Sequence, residues 1–253
     1  MKIKLLILFF TISFCISSLS CSRSGKEDSE KVLLSCENAL LAQSEDMGEE
    51  YINSIIFFGE STTYHMKSRG VLKGGTSTKQ VWAPKSGTVN LDHTTRSLKI
   101  VYPNTDTLMT VAEAAAISSP KYLIMTFGLN GAVQKINRGE EYYREAYLSL
   151  INSVRTASPN TKIILQSAFP ISESMDTSAF TVNSATLNSY IDKINGWTLK
   201  LASDEGLKYL NTAEILKNDK GYLADQYQVG DGHHLNTEAY KKILTYIKTH
   251  GYT

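Results

Sequence analysis

The stretch Ile55-Ile56-Phe57-Phe58-Gly59-Glu60-Ser61-Thr62 decides how the chain is read. An apolar run stops at a glycine, and a serine follows in polar sequence. Such a run predicts a buried strand that breaks into a loop at the edge of a sheet. In open α/β sheets ligands bind outside the carboxyl ends of the strands, and Ser61 falls there. A serine hydroxyl at that place becomes a nucleophile only if a base and a pocket for negative charge also reach it.

Outward from this stretch, further apolar runs predict buried strands over residues 121–127, 162–167 and 207–211. Between and after them, apolar residues at helical spacing predict helices over residues 110–118, 140–157 and 184–204. A last helix starts after Asn236 or Thr237 as its cap. Strands alternating with helices mean a parallel sheet covered on both faces, and right-handed crossovers make it a three-layer α/β/α sandwich. Residues 32–50 read as a helix leading into the first strand. Residues 62–102 have a poor pattern, with short strands expected over 80–82 and 88–91. A long irregular segment directly after a catalytic-looking serine often builds the walls of a binding site.

The chain has 253 residues and a formal net charge of +1, so nothing in its charge points to a nucleic-acid groove or a polybasic membrane patch. Met1-Lys2-Ile3-Lys4 is a basic start, residues 5–16 are an apolar segment too short for a permanent span, and small residues lead to Cys21. This is the anatomy of an export signal. A cysteine at its end points to a lipoprotein, anchored to the membrane through lipidated Cys21; ordinary cleavage nearby would give a secreted protein instead. The expected organisation is a signal over residues 1–21, a polar tether over 22–31 and one hydrolase-sized α/β domain over 32–253. If Cys21 is lipidated, Cys36 stands alone; if not, a Cys21–Cys36 bridge can form in an oxidising compartment. No Cys/His spacing matches a structural zinc site.

Three loops each set a polar residue beside glycine: Gly59-Glu60-Ser61, Gly128-Leu129-Asn130-Gly131, and Asp231-Gly232-His233-His234-Leu235-Asn236. Singly, each is an ordinary turn or helix cap. Together, at one end of one sheet, they resemble the SGNH/GDSL hydrolase superfamily over most of the chain beyond the tether. Gly59-Glu60-Ser61 stands where that family has Gly-Asp-Ser, with Glu in a place that carries no catalytic role. Gly128-Leu129-Asn130 matches Gly-x-Asn-Asp, with Gly131 where the family often has an acid. Asp231-Gly232-His233-His234 matches Asp-x-x-His. The family's remaining block, a single loop glycine, falls on Gly87, with Gly75 as the other candidate. The resemblance implies a flavodoxin-like strand order.

It also implies a serine ester hydrolase with Ser61 as nucleophile, His234 as base and Asp231 as its partner. Histidine suits the task because its ordinary pKa of about 6.5 lies near working pH. A carboxylate on the far ring nitrogen fixes the tautomer and stabilises the imidazolium. The oxyanion would be held by the backbone N–H groups of Ser61 and Gly87 and by the Asn130 side chain. His233 is the internal rival to His234; the spacing and the following Leu235-Asn236 favour His234. His65, four residues after Ser61, reads as a pocket wall or surface residue, and Tyr64, Trp82 and Phe169 as cleft walls or packing.

No metal or organic cofactor is required by this chemistry. The expected partner is a small acyl ester or an acylated glycan, with O-acetyl groups of extracellular or cell-wall glycans favoured by the exported address. An O-acyltransferase using the same residues, and a non-catalytic binding lipoprotein on the same scaffold, stay open as alternatives.

Overall fold

The computed structural model describes residues 36–252 of the chain. The expected export signal, the expected tether and Cys21 lie outside the described residues, and with them the expected lipid anchor and any Cys21–Cys36 bridge. Helix α1 (Gly48–Asn53) leads into strand β1 (Ile55–Gly59) and helix α2 (Ser61–Ser68). The sheet continues through β2 (Val81–Trp82), and a small hairpin follows, β3 (Lys99–Val101) and β4 (Leu108–Thr110). The alternation then runs α3 (Val111–Ser118), β5 (Tyr122–Thr126), α4 (Ala132–Arg138), α5 (Glu140–Ala157), β6 (Lys162–Gln166), α6 (Ser184–Asp204), β7 (Lys208–Leu210) and α7 (Thr237–Lys248).

The main sheet is parallel throughout, in the order β2-β1-β5-β6-β7. This is the flavodoxin-like order, in which the chain leaves β1 to one side for β2 and returns on the other side as β5. The register sets Gly59 beside Thr126, Thr126 beside Gln166 and Gln166 beside Leu210, so the carboxyl ends of four strands form one rim. Along that rim Thr126 Oγ1 donates to Gln166 Oε1 at 2.7 Å, and Gln166 Nε2 donates to Thr212 Oγ1 at 2.7 Å.

Successive strand side chains point to opposite faces, and the two faces build separate cores. Phe58, Leu123, Met125 and Leu165 pack against Tyr143, Tyr147, Leu150 and Ile194 of α5 and α6. Ile55, Phe57, Ile124 and Ile164 pack against Tyr240, Ile243 and Ile247 of α7 on the other face. Burial of each such side chain contributes about 1.5–3 kcal/mol. Sheet and helices are locked by polar contacts as well: Tyr147 donates its hydroxyl to the carbonyl of Met125 at 3.1 Å, and Tyr143 meets Thr198 at 2.8 Å.

The expected helix over residues 32–50 is broken in its described part. Residues 36–39 are helical, but Leu40 then bridges to Tyr209 and Leu41 N–H donates to the Tyr209 carbonyl at 2.8 Å. The free edge of β7 takes the chain out of the helix there. Gly48, at φ +73°, restarts it as α1 with its N–H on Asp46 Oδ1. Residues 88–91 form no strand. Val89 and Leu91 are buried, but Asn90 between them turns its amide oxygen to the Lys135 ammonium at 2.9 Å. The β3–β4 hairpin and α4 are absent from the sequence-based expectation; the strands are three residues each and the helix seven, too short for a periodic pattern to stand out.

Candidate active site

Ser61 is the first residue of α2, directly past the end of β1. The strand can turn so sharply because position 59 is glycine: a Cβ there would lie 2.4 Å from the Thr126 carbonyl oxygen and 2.6 Å from Thr63 Oγ1. Glu60 stands at the N-cap, yet its side chain makes no cap bond. Its carboxylate is buried and turned to the loop after β5, accepting the N–H groups of Gly128 at 2.8 Å, Leu129 at 3.1 Å and Asn130 at 3.1 Å. Lys135, also buried, donates to the carbonyl of Asn130. Asn130 is therefore held at its N–H by Glu60 and at its C=O by Lys135. Burial pushes the Glu60 carboxyl above its ordinary range, while Lys135 and the three amides pull it back. Burial likewise draws the Lys135 ammonium down, against Glu60 and Asp92, which hold it up.

The Asn130 side chain donates to Thr88 Oγ1 at 2.8 Å and to the Val89 carbonyl at 2.9 Å. That brings the loop of Gly87 to Asn130. On its other side Gly87 touches α2: a Cβ on it would lie 3.0 Å from the Tyr64 ring. The N–H of Gly87 donates to the Pro84 carbonyl at 2.9 Å across a tight turn. Gly75 sits in a separate short helical turn, with its N–H on the Leu72 carbonyl.

The third loop folds on itself. Asp231 Oδ1 accepts the N–H groups of His233 at 3.0 Å and His234 at 2.9 Å, an Asx-type turn. The same carboxylate's Oδ2 lies 2.7 Å from His234 Nδ1. The other ring nitrogen, Nε2, lies 3.2 Å from Ser61 Oγ. A proton on Nδ1 suits the carboxylate and leaves Nε2 as acceptor for the serine hydroxyl. Desolvation raises the Asp231 carboxyl, but the two amides and the His234 ring outweigh it and hold it at about 2. His233 is drawn below its ordinary value by burial and by His234, and its Nδ1 faces the Asp231 carbonyl.

Leu235 and Asn236 anchor this loop. Leu235 is fully buried, and its carbonyl accepts Arg69 Nε at 2.6 Å. Asn236 caps α7 by accepting the Ala239 N–H at 3.0 Å, and its Nδ2 donates to the Gln226 carbonyl at 2.7 Å. Tyr240 donates to the Thr62 carbonyl at 2.6 Å, tying α7 to α2. Residues 61, 130 and 231–234, far apart in the chain, thus meet at one rim of the sheet.

Among the described residues, Asp231, His233 and His234 are one set whose donor atoms could hold an ion, all within 4.8 Å of one another. An ion there would take Asp231 from His234, so it would compete with the Asp231–His234 contact. Trp82 and Phe169 are packed in the two cores rather than lining a cleft. His93 faces Glu145 and Tyr142, and His250 stacks on Tyr246; neither belongs to this rim. The clamp by Glu60 and Lys135 escapes sequence reasoning, because only the fold shows that a residue beside the serine reaches the Asn130 loop.

With this geometry in view, the comparisons with known proteins decide the family. The model of the GDSL-like Lipase/Acylhydrolase family matches residues 57–242. The chain belongs to that family. It is a GDSL-like, SGNH-type carboxylic ester hydrolase. No curated protein matches the GDSL-like chain. Solved structures to which the chain is similar include a GDSL-like lipase from Bacteroides thetaiotaomicron, 16% identical, covering 89% of this chain and 95% of that one at a TM-score of 0.48. A carbohydrate acetylesterase from Sinorhizobium meliloti is 16% identical, with coverage of 77% and 95% and a TM-score of 0.46.

Proposed function

We propose that this GDSL-like hydrolase removes short acyl groups through an acyl-enzyme on Ser61. Ser61 Oγ attacks the ester carbonyl while His234 Nε2 takes its proton. Asp231, ionised at any working pH, holds the ring and balances the imidazolium. The oxyanion forms against the Ser61 N–H, which as the first helical residue has no intrahelical acceptor. The positive end of the α2 dipole adds to it. Asn130 supplies the second donor by exchanging the exposed Thr88 hydroxyl for the oxyanion. Gly87 adds a third if its turn bond to Pro84 opens. Collapse of the tetrahedral species expels the alcohol, which takes the proton from His234. Water, deprotonated by His234, then frees the acid and restores Ser61.

The observation that carries this reading is the unbroken line Ser61 Oγ, His234 Nε2, His234 Nδ1, Asp231 Oδ2, with gaps of 3.2 Å and 2.7 Å on either side of the ring. Both lie within the reach that proton transfer needs. The test is hydrolysis of a short-chain aryl ester. Ser61→Ala should lower kcat by about a thousandfold or more; retention of the wild-type rate would remove Ser61 from the mechanism.

For the natural acyl donor we propose an O-acetylated glycan outside the cytoplasm. A cavity of about 260 Å³ is bounded by Gly131, the residue after Asn130, and by Asn90, Asp92, Gln134 and Arg138. These polar side chains suit sugar hydroxyls better than an acyl chain. Acetate release from an acetylated oligosaccharide should therefore fall in Gln134→Ala or Arg138→Met while aryl acetate hydrolysis persists; equal loss on both would exclude the cavity as a sugar site. The export-type N-terminus supports a tether through lipidated Cys21, to be checked by fatty-acid labelling that Cys21→Ala should abolish.

A further inference from the structure

Helix α2 does more than present the serine. Ser61, His65 and Arg69 recur every four residues, so they lie along one face of the helix. All three meet the same loop. Ser61 faces His234 Nε2, Arg69 holds the Leu235 carbonyl, and between them the His65 ring lies with its centroid 4.5 Å from that of His234, tilted by 58°. His65 Nδ1 is buried and has no hydrogen-bond partner. A buried imidazole nitrogen without a partner is unfavourable, so the placement calls for an explanation.

We propose that His65 is a positioning residue for the ester hydrolysis, its ring acting as a wall that holds the His234 imidazole in the plane shared by Ser61 and Asp231. The proposal rests on the assignment of Ser61 and His234 given above. The groups that face His65 are His234, His233 and Asp231 from the loop and Arg69 from its own helix. Burial first, then the His234 charge, hold it at about 4, so it is neutral when the enzyme works. A neutral aromatic ring is a favourable neighbour for a ring that becomes cationic during attack. A second cation would oppose that charge. The contact therefore acts on the orientation of His234 and on the stability of its protonated form, and not on substrate binding.

The test compares His65→Ala and His65→Phe in the full chain, with circular dichroism and thermal melts to establish folding. His65→Ala frees the ring to rotate; kcat on a short-chain aryl ester should fall about 10- to 100-fold, the loss typical of a misplaced catalytic group, with KM within about twofold. The acid limb of the kcat/KM profile, which reports His234, should shift with it. His65→Phe restores a ring without the unused nitrogen and should recover most of kcat. If a folded His65→Ala keeps kcat and the pH profile, the positioning role is refuted. It is equally refuted if His65→Phe is as impaired as His65→Ala, because the nitrogen would then be the working part. If His65→Ala does not fold, the Phe variant alone decides: kcat near wild type supports the wall, a large loss refutes it. Ser61→Ala, run alongside, separates the outcomes: full activity there would overturn the nucleophile assignment itself, whereas its inactivity beside an active His65→Ala overturns only the role of His65.

Discussion

Replacing Glu60 by glutamine should weaken both the fold and the reaction, by amounts the geometry sets. The two carboxylate oxygens of Glu60 accept three amide N–H groups, Oε1 from Gly128 and Asn130 and Oε2 from Leu129. Glutamine has the same shape, but one of its terminal atoms is an NH2 group. If its oxygen takes the Oε1 place, the Leu129 N–H faces a donor and is left unsatisfied in the interior. Such a loss costs about 1–3 kcal/mol. The substitution also removes a negative charge that helps hold the proton on buried Lys135. Lys135 can shed its proton in response, so the net loss expected is that of the amide, about 1–3 kcal/mol. Urea unfolding at unchanged m measures it. Because the Leu129 N–H next to Asn130 loses its acceptor, the loop that carries Asn130 loosens, and kcat should fall about tenfold or more while KM changes less. A loss below about 1 kcal/mol with normal kcat would show that the carboxylate does not hold the loop.

Asp231→Asn keeps an oxygen for the His233 and His234 amides but offers His234 Nδ1 no carboxylate. Its kcat should fall by about a thousandfold or more with the loop intact, read from steady-state kinetics and circular dichroism; a loss under about tenfold would mean that the carboxylate does not set the tautomer. Gly59→Ala puts a methyl into the Thr126 carbonyl, so the strand end must shift, and thermal melts should show a destabilisation of about 1–3 kcal/mol. Acid should destabilise the protein in two steps. His65, held at about 4, contributes stability that is complete above its ordinary value of about 6.5 and is lost as pH falls through that window toward 4. Asp231, held at about 2, contributes stability present above the ordinary carboxylate value of about 3.9 and lost as pH falls from there toward 2. His65→Phe should reduce the first step in urea titrations run across pH, to the part that His233 contributes, and leave the second.

Strong local signals made most of the sheet legible. The runs ending at Gly59, Phe127 and Ser167 have continuous apolar centres, over residues 55–58, 122–125 and 163–165, as strands buried on both faces do, and helices α5, α6 and α7 carry a clear apolar stripe. The residues of the rim were legible for another reason: glycine is forced where the backbone comes within contact distance, as at Gly59 and at Gly128, whose Cβ would lie 2.4 Å from the Ala168 Cβ. What stayed hidden depends on contacts between distant segments. Residues 32–50 have helical composition, yet the edge of β7 draws Leu40 and Leu41 out of the helix. Asn90 lies amid alternating apolar residues that read as a strand, but its amide is taken by Lys135. Glu60 looked like a neutral change beside the serine, and its three bonds lie 68 to 70 residues away. The four-residue spacing of Ser61, His65 and Arg69 was visible in sequence; only the fold shows what that face meets.

The most direct test of the hydrolase account is to locate by peptide mass spectrometry the adduct left by a fluorophosphonate, which reacts with an activated serine. A single adduct on Ser61, formed at a rate that collapses in His234→Ala, is the predicted result. Labelling of another residue, or an unlabelled Ser61 in folded protein that still hydrolyses esters, would contradict it.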